Sequence, residues 1–380
     1  MKKLYNILVC ILILSFSCSV TYASESIQSD SIKTEKDSAK SLDVSSILFG
    51  HIGDAYEYHI TEIHEHPIAI PLPVIVYSKE RGWFSFLSTK VTEGEAYNGF
   101  FIQKGGSYDG KIVETNSKGE IVRPFDLSIT KNVFALLFSC FLLIVIFVPM
   151  ALSYKKRPLN VPNKKQNLLE MVIMYIEDDV IKPSVGKKYL KYSPYLLTIF
   201  FFILINNLMG LIPIFPFGAN LTGNISVTLI LAMFTFFITN IFGTKEYWKE
   251  ILWPDVPLML KAPIPLMQMI EIISTLTKPF ALMVRLFANI FAGHMIILVL
   301  TTLIFLFSAV MGAAMGYATV VISVLFSVFM YCLELLVAFI QAYVFTLLSA
   351  IFIGLAQVEP HHKTKKEEIL SVAQVNKKND

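Results

Sequence analysis

Charged residues are scarce in this sequence. Asp, Glu, Lys and Arg make up only 16% of the 380 residues, whereas hydrophobic residues make up 54%, and the mean hydropathy is +0.60. A soluble domain usually carries about 25% charged residues. The apolar residues are also collected in long blocks, which is typical of membrane-spanning segments. The composition therefore disfavours an ordinary soluble domain and predicts a membrane protein.

Three further features that the sequence lacks narrow the choice of function. The net charge is only +3, so no strong attraction to nucleic acid is expected. The sequence contains no glycine-rich phosphate-binding loop of the Walker type, so we expect no nucleotide-hydrolysing site in this chain. It also shows no internal repeat of the kind that marks many secondary transporters.

Residues 1–23 are predicted to be a secretory signal. Lys2 and Lys3 precede a short apolar run, and small residues lead to a cleavage site after Ala23. In the alternative interpretation Cys18 is a lipidation site. Cleavage after Ala23 would leave two of the four cysteines, both inside apolar runs, so no disulfide framework is predicted. Residues 24–42 are rich in Ser, Lys and Asp and are predicted to be a disordered linker.

Residues 43–128 have the pattern of a small strand-rich domain. Short alternating stretches, such as residues 68–77, are separated by Gly and Asn turns. The preceding signal places this domain outside the cytoplasm. Its histidines suggest either a zinc site or an ordinary polar face, and their spacing is less regular than that of most zinc sites. We predict no metal and no other cofactor. The histidines are His51, His59, His64 and His66.

Residues 129–358 are predicted to form an all-α polytopic membrane domain. A mixed apolar and acidic segment at 164–182 is too polar to span and suits an amphipathic helix at the interface. The cations at 155–157 favour the cytoplasmic side for the end of the first span. Five crossings then leave the tail, residues 359–380, in the cytoplasm. The five predicted spans are Val133–Leu152, Tyr195–Ile212, Ile225–Phe242, 264–306 and 318–358.

The last two spans are unusually long. At about 1.5 Å per residue, a helix of about 40 residues measures about 60 Å, roughly twice the hydrocarbon thickness of a bilayer. Such helices must tilt steeply or protrude from the membrane. The predicted fold is therefore five transmembrane helices with one interfacial helix, preceded by a small β-rich extracytoplasmic domain.

The two long helices carry several ionisable residues. A charge near the bilayer centre costs about 2.5–3.5 kcal/mol on insertion scales, so such residues usually have a function. Helical spacing places Glu271, Lys278, Arg285 and Asn289 close to one face of the first helix, and Glu334 and Gln341 close to one face of the second. The two polar stripes indicate a route lined by water. Lys278, beside Pro279, has a second interpretation as a cation that snorkels to the cytoplasmic interface. The polar residues are Glu271, Lys278, Arg285, Asn289 and His294 in the first helix, and Glu334 and Gln341 in the second.

The chemistry of these groups suits proton conduction. The guanidinium of Arg285 stays charged at any accessible pH, so it can attract a carboxylate but cannot relay a proton. His294 and Glu334 are different, because both can take up and release protons near working pH. A fixed cation beside two proton relays therefore predicts a proton pathway.

The segment Arg285-Leu-Phe-Ala-Asn-Ile-Phe-Ala-Gly-His294 resembles the Arg-Leu-Phe-x-Asn-x-x-Ala-Gly signature of F-type ATP synthase subunit a. Three further segments resemble the same family in the same order: Asn207-Leu-Met-Gly-Leu-Ile-Pro213, Thr277-Lys-Pro279 and Gln341-Ala-Tyr-Val-Phe345. The resemblance covers about residues 129–358. It does not cover the extracytoplasmic domain.

The resemblance implies a role for each matching residue. Arg285 would face the ionisable carboxylate of a rotating c-subunit ring. Glu271 and Ser274 would lie on a half-channel open to the cytoplasm, although Ser274 is equally compatible with a purely structural role. Some family members carry the acid and the imidazole of positions 294 and 334 in the reverse order, which leaves open which group is protonated first. The half-channel open to the outside would be lined by Asn289, His294, Glu334 and Gln341.

The resemblance also implies the setting of the protein. It would be the proton-translocating subunit of the F0 sector, without a catalytic site of its own, in a bacterial inner membrane. Its partners would be the c ring, the b-subunit peripheral stalk and, indirectly, the F1 sector. Sodium stays open as the coupling ion.

Two other classes of function use the same residues. A stand-alone secondary transporter or ion channel could use the buried charges, and it would move ions without partner subunits. A membrane scaffold that carries an extracytoplasmic sensor domain would tolerate substitution of Arg285 and Glu334.

Overall fold

The structure of this chain is a computed structural model. It describes residues 54–63, 66–92, 96–103, 108, 110–116, 119–156, 164–212, 217–219, 221–252, 266–311 and 313–357. The predicted signal (1–23), linker (24–42) and tail (359–380) lie outside these residues, as do His51 and His64. Two compact units contain the described residues: one falls within Met1–Pro158, Phe201–Val227 and Phe287–Gln341, and the other within Leu159–Phe200, Thr228–Leu286 and Ala342–Asp380.

The first unit begins with three small antiparallel sheets, in which the neighbouring strands are β1-β2, β4-β3-β8 and β5-β6-β7. A short helix, α1 (Thr89–Thr92), follows β4. The β3–β4 turn ends at Gly82, whose φ of 86° lies in the region that favours glycine. The strands are β1 (Glu57–Ile63), β2 (His66–Pro71), β3 (Pro73–Ser78), β4 (Gly82–Leu87), β5 (Phe100–Ile102), β6 (Ile112–Thr115), β7 (Ile121–Val122) and β8 (Phe125–Asp126).

One face of β3 and β4 supplies the core of this domain. Val74, Val76 and Phe86 alternate with exposed residues and pack with Phe100 and Ile112 in one buried cluster. This alternation is expected for a sheet with only one face in the core.

Hydrogen bonds join this domain to the first long helix, α2 (Lys131–Lys156). The backbone N–H of Lys131 donates to the carbonyl oxygen of Ala55 over 2.9 Å, and that of Asn132 donates to Asp54 Oδ1 over 3.1 Å. The first amides of a helix have no partner within the helix. The strand domain therefore supplies acceptors for the first turn of α2.

Most of the rest of the described chain is helical. Four stretches are long and apolar enough to span a membrane: Lys131–Lys156, Gln166–Leu211, Gln268–Ile297 and Thr319–Leu355. The chain is thus a mostly helical, polytopic membrane protein. After α2 the helices are α3 (Lys164–Tyr175), α4 (Lys182–Val185), α5 (Tyr189–Leu211), α6 (Ile225–Ile241), α7 (Lys245–Leu252), α8 (Leu266–Met311) and α9 (Ala313–Leu355).

The segment before α5 differs from the predicted arrangement. Residues 164–182 are helical throughout, but a π-helical turn (Ile176–Ile181) joins α3 to α4, and beyond the predicted segment a 3-10 turn (Gly186–Lys188) leads into α5. Helix α5 starts at Tyr189 rather than at Tyr195 because it continues through Pro194. Proline is tolerated in membrane helices when other groups satisfy the freed backbone. Pro194 leaves the carbonyl of Leu190 without its helical donor, and one turn further on the hydroxyl of Thr198 donates to the carbonyl oxygen of Pro194 over 2.7 Å.

We expect the substitution Gly354→Ala to prevent stable folding of the second unit. A Cβ on Gly354 would overlap the backbone carbonyl oxygen of Ser184 in α4, and neither backbone can yield without moving its helix. Overpacking of this kind costs about 1–3 kcal/mol or more. Immunoblots of membranes should show strongly reduced amounts of the chain. The neighbouring Leu355 is 52% exposed, so Leu355→Ala should accumulate like the parent. Equal amounts of the two variants would contradict the close approach.

Candidate functional site

Helix α8 carries Arg285 in its interior. The helix is 46 residues long, and its apolar sequence contains a single proline, Pro279. Arg285 is exposed, and so are the neighbouring Phe280 and Val284. Asn289, one turn further along, is exposed as well. The guanidinium therefore lies on an apolar helix surface, where a permanent charge requires a partner or water.

Helix α9 has the opposite arrangement, because its polar residues face inward. Glu334 is only 4% exposed, whereas Leu335 and Leu336 are 53% and 56% exposed. Ser323 and Gln341 are also buried, and their spacing from Glu334, 11 and 7 residues, places all three close to one side of the helix. A helix with apolar residues outside and polar residues inside is suited to lipid on one side and a polar route on the other.

In the first unit, Glu334 packs against Gly293 of α8. A Cβ on Gly293 would lie 3.1 Å from Glu334 Oε1 and 3.2 Å from the carboxyl carbon. Glycine at this position thus makes room for the carboxyl group between the two helices. His294 follows directly in α8, and its side chain lies outside the described residues.

We expect Gly293→Ala to impair the function that depends on Glu334. The added methyl group would lie 3.1 Å from Glu334 Oε1, so the carboxyl group must shift, and we expect a lower rate. The measurement is ATP-driven acidification of inverted membrane vesicles. The shorter acid in Gly293→Ala/Glu334→Asp should relieve the crowding and restore part of the activity. Parent-like acidification by Gly293→Ala alone would show that the carboxyl group does not need this position.

Asn207 of α5 positions the same part of α9. Its Nδ2 donates to the carbonyl oxygen of Ala338 over 3.1 Å, and its Oδ1 accepts a 2.7 Å hydrogen bond from the Thr222 hydroxyl. Ala338 lies one turn after Glu334 in the helix. Both hydrogen bonds are buried, so this amide fixes α9 where its acid is held.

The remaining predicted residues belong to the second unit. Glu271 and Ser274 are half-buried in α8. The hydroxyl of Thr275 donates to the carbonyl oxygen of Glu271, and that of Thr277 to the carbonyl oxygen of Ser274, both over 2.9 Å. The structure thus places Glu271, Ser274 and Arg285 in one compact unit, and Asn289, His294, Glu334 and Gln341 in the other.

A small cleft with both apolar and polar lining residues lies beside this part of α8. The Tyr247 hydroxyl donates to Asn240 Oδ1 over 3.4 Å, and Lys278 Nζ lies 5.7 Å from the centre of the Phe352 ring. Burial raises the pKa of Tyr247, a hydrogen bond with Thr275 opposes this shift, and the charge of Glu271 adds to it. The cleft is lined by Thr235, Phe236, Thr239, Asn240, Tyr247, Thr275, Lys278, Pro279, Leu282 and Phe352.

Most of the residues that line this cleft were not predicted from the sequence. Its signal was present in the hydroxyl groups of α6, since Thr228, Thr235 and Thr239 recur at helical spacing in an apolar helix and all are buried. Thr235 Oγ1 also lies 3.1 Å from the Tyr195 hydroxyl oxygen and 3.3 Å from Ser349 Oγ.

The histidines of the strand domain raise the question of a metal site. Within the described ranges, no group of three or more His, Cys, Asp or Glu side chains is arranged to hold a metal ion. His59 and His66 lie in β1 and β2, and their side chains are outside the described residues.

Two different families match this chain, and the boundary between the two matches lies where the helices begin. Residues 133–354 match the family described as ATP synthase A chain. Residues 47–131 match a separate family that is described only as a domain of unknown function. The strand domain thus has relatives of its own.

Similar proteins are named ATP synthase subunit a. A protein of Chlorobaculum tepidum named ATP synthase subunit a 2 is 45% identical over 62% of this chain and 65% of its own length. The subunits a of Chlorobium phaeobacteroides and Chloroherpeton thalassium are 41% and 43% identical, over 67% and 63% of this chain and 74% and 69% of their own lengths. The chain thus spans about two thirds of the length of these relatives. The family match covers more than half of the 380 residues, and the chain belongs to the ATP synthase A chain family.

Proposed function

We propose that this chain is the stationary proton-translocating subunit of a rotary ATP synthase, with Arg285 opposite the carboxylates of a c-subunit ring. The observation that carries this proposal is the exposure of Arg285 on the apolar surface of α8. A permanent cation at membrane depth is expensive unless a carboxylate or water accompanies it. Successive ring carboxylates would provide that partner.

The buried polar side of α9 supports a route from the outer aqueous phase. Glu334 and Gln341 are almost completely buried, and both can take part in chains of hydrogen bonds. Together with Asn289 and His294 they would form the outer half-channel. Glu334 and His294 would pass protons to the ring, because a carboxyl group and an imidazole can each bind and release a proton.

The cleft beside Lys278 supports an exit route to the cytoplasm. Its lining residue Thr275 donates to the backbone carbonyl of Glu271, and the lining also includes hydroxyl and amide groups of α6 and α7. A proton released from a ring carboxylate would leave past Glu271 and this cleft. Arg285 would keep the two routes apart, since its guanidinium cannot relay protons.

The proposed mechanism requires a rotating ring for an energetic reason. One charge that crosses a potential of 100 mV yields about 2.3 kcal/mol, so several protons are needed for each ATP. In the proposed mechanism a protonated ring carboxylate turns through the lipid from one half-channel to the other. Catalysis would take place in the F1 sector, and a b-subunit stalk would hold this chain stationary.

The proposed topology has five crossings, with the strand domain outside and the C-terminus in the cytoplasm of a bacterial inner membrane. Helix α6 is the shortest crossing, but its 17 residues measure about 26 Å, close to the roughly 30 Å hydrocarbon core. Helix α8, with 46 residues, measures about 69 Å, so it would tilt steeply or extend beyond the membrane.

Dependence on partner subunits tests the proposal against a stand-alone transporter. We expect liposomes that contain only this chain to show no proton flux above empty liposomes when a potential is imposed. Liposomes that also contain the c ring and the b subunits should conduct protons. Proton or sodium flux through the chain alone would refute the proposal and favour the transporter.

A further inference from the structure

The sheet β4-β3-β8 of the extracytoplasmic domain has one buried and one exposed face. In a sheet that faces water, exposed positions are normally polar. Here the strand pairs bring Trp83, Tyr77 and Phe125 into one row across the three strands. Trp83 is 62% exposed, Phe125 47% and Tyr77 37%, and the rings of Tyr77 and Trp83 lie 5.0 Å apart.

The same face stays apolar along its whole length. Because side chains alternate along a strand, every second residue of each of the three strands lies on this face and is partly or fully exposed. These residues form three columns, one for each strand, that lie beside each other. Eight of these nine side chains are apolar, and none is acidic. The columns are Trp83, Ser85 and Leu87; Tyr77, Ile75 and Pro73; and Phe125, Leu127 and Ile129.

This face is continuous with the start of the membrane helix α2. After β8 the chain stays beside β3, because the N–H groups of Leu127 and Ile129 donate to the carbonyl oxygens of Ile75 and Pro73 over 2.9 and 3.1 Å. Lys131, the first residue of α2, follows two residues later and donates to Ala55. No free linker therefore separates the sheet from the helix that enters the membrane.

We propose that this face of the sheet lies flat on the outer leaflet of the bilayer, with Trp83, Tyr77 and Phe125 in the headgroup region. Trp and Tyr favour that region because each ring has an apolar body and a polar tip. The occupant is a lipid surface rather than a protein, since the apolar face leads directly into a membrane-spanning helix. Bound in this way, the domain would fix the depth and the tilt of α2 at the outer surface.

Fluorescence quenching tests this proposal with the full chain in liposomes. The difference in emission between the parent and Trp83→Phe isolates Trp83 from the other two tryptophans and keeps an aromatic ring at the position. We expect Trp83 emission to be strongly reduced in bilayers of lipids brominated near the headgroup. Acrylamide, which quenches from the water, should have little effect on it. The proposal would be overturned if acrylamide quenched the Trp83 emission and brominated lipid did not.

A second tryptophan position separates a lipid surface from a protein partner. In the Trp83→Phe background, Leu87→Trp places the probe on the same face, where Leu87 is 50% exposed. Brominated lipid should quench this residue as well. If both probes are protected from acrylamide and from brominated lipid, a protein covers the face and the proposal is wrong. Neither variant changes a residue of the ion route, so the result is independent of the proposed function.

Discussion

Inverted membrane vesicles that carry Arg285→Ala are expected to lose ATP-driven acidification. An ion pair at about 4 Å contributes about 4 kcal/mol at an effective dielectric constant of about 20, which corresponds to about a thousandfold in rate. Without the guanidinium, a ring carboxylate would have no reason to stay ionised opposite α8. The pumping rate should therefore fall below detection while the partner ATPase stays on the membrane.

The same vesicles report on the separation of the two routes. If Arg285 keeps the half-channels apart, the alanine variant should show a higher passive proton leak than the parent. Arg285→Lys retains a charge but loses the planar guanidinium, so partial or no pumping without the added leak is expected. Val284 is a matched control, because it is exposed on the same stretch of helix and Val284→Ala should pump normally. Normal pumping by Arg285→Ala would remove the central residue of the proposal.

The second large effect is expected for Glu334→Gln. Glutamine has nearly the same shape as glutamate, so the packing against Gly293 should survive while the exchangeable proton is lost. Proton transfer by a positioned acid contributes about 10²–10⁴-fold to a rate, and acidification should fall by at least about a hundredfold. The amount of chain in the membrane should stay close to that of the parent.

Glu334→Asp is the matched variant for this position. It keeps the acid but moves the carboxyl group back by one methylene, away from Gly293. We expect intermediate pumping, because the proton can still be exchanged over a less favourable distance. If the glutamine variant pumps as well as the aspartate variant, Glu334 acts only through packing, as a membrane scaffold would require.

Much of the membrane part could be predicted from the sequence because its signals are local. The two long helices were expected at 264–306 and 318–358 and are observed at Leu266–Met311 and Ala313–Leu355. Helix length, hydropathy and the spacing of polar residues suffice for this. The ends shifted by a few residues, since apolar composition alone does not fix where a helix stops.

The features that could not be predicted from the sequence depend on tertiary contacts. Tyr247 had no motif, and it joins the cleft only because α7 folds back so that its hydroxyl group reaches Asn240. The role of Gly293 depends on the carboxyl group of a residue 41 positions away in the sequence. The predicted helix at 164–182 contains a π-helical turn, and a 3-10 turn follows it at Gly186–Lys188. Apolar periodicity reveals neither turn.

The junction between the strand domain and α2 has a consequence for how such a chain arose. The two family matches meet between residues 131 and 133, yet the first amides of α2 bind Ala55 and Asp54 on the other side of that boundary. A recombination event at the boundary would remove these two acceptors from the first turn of α2. The strand domain and the helix start are therefore expected to be inherited together, as one unit of selection rather than as exchangeable modules.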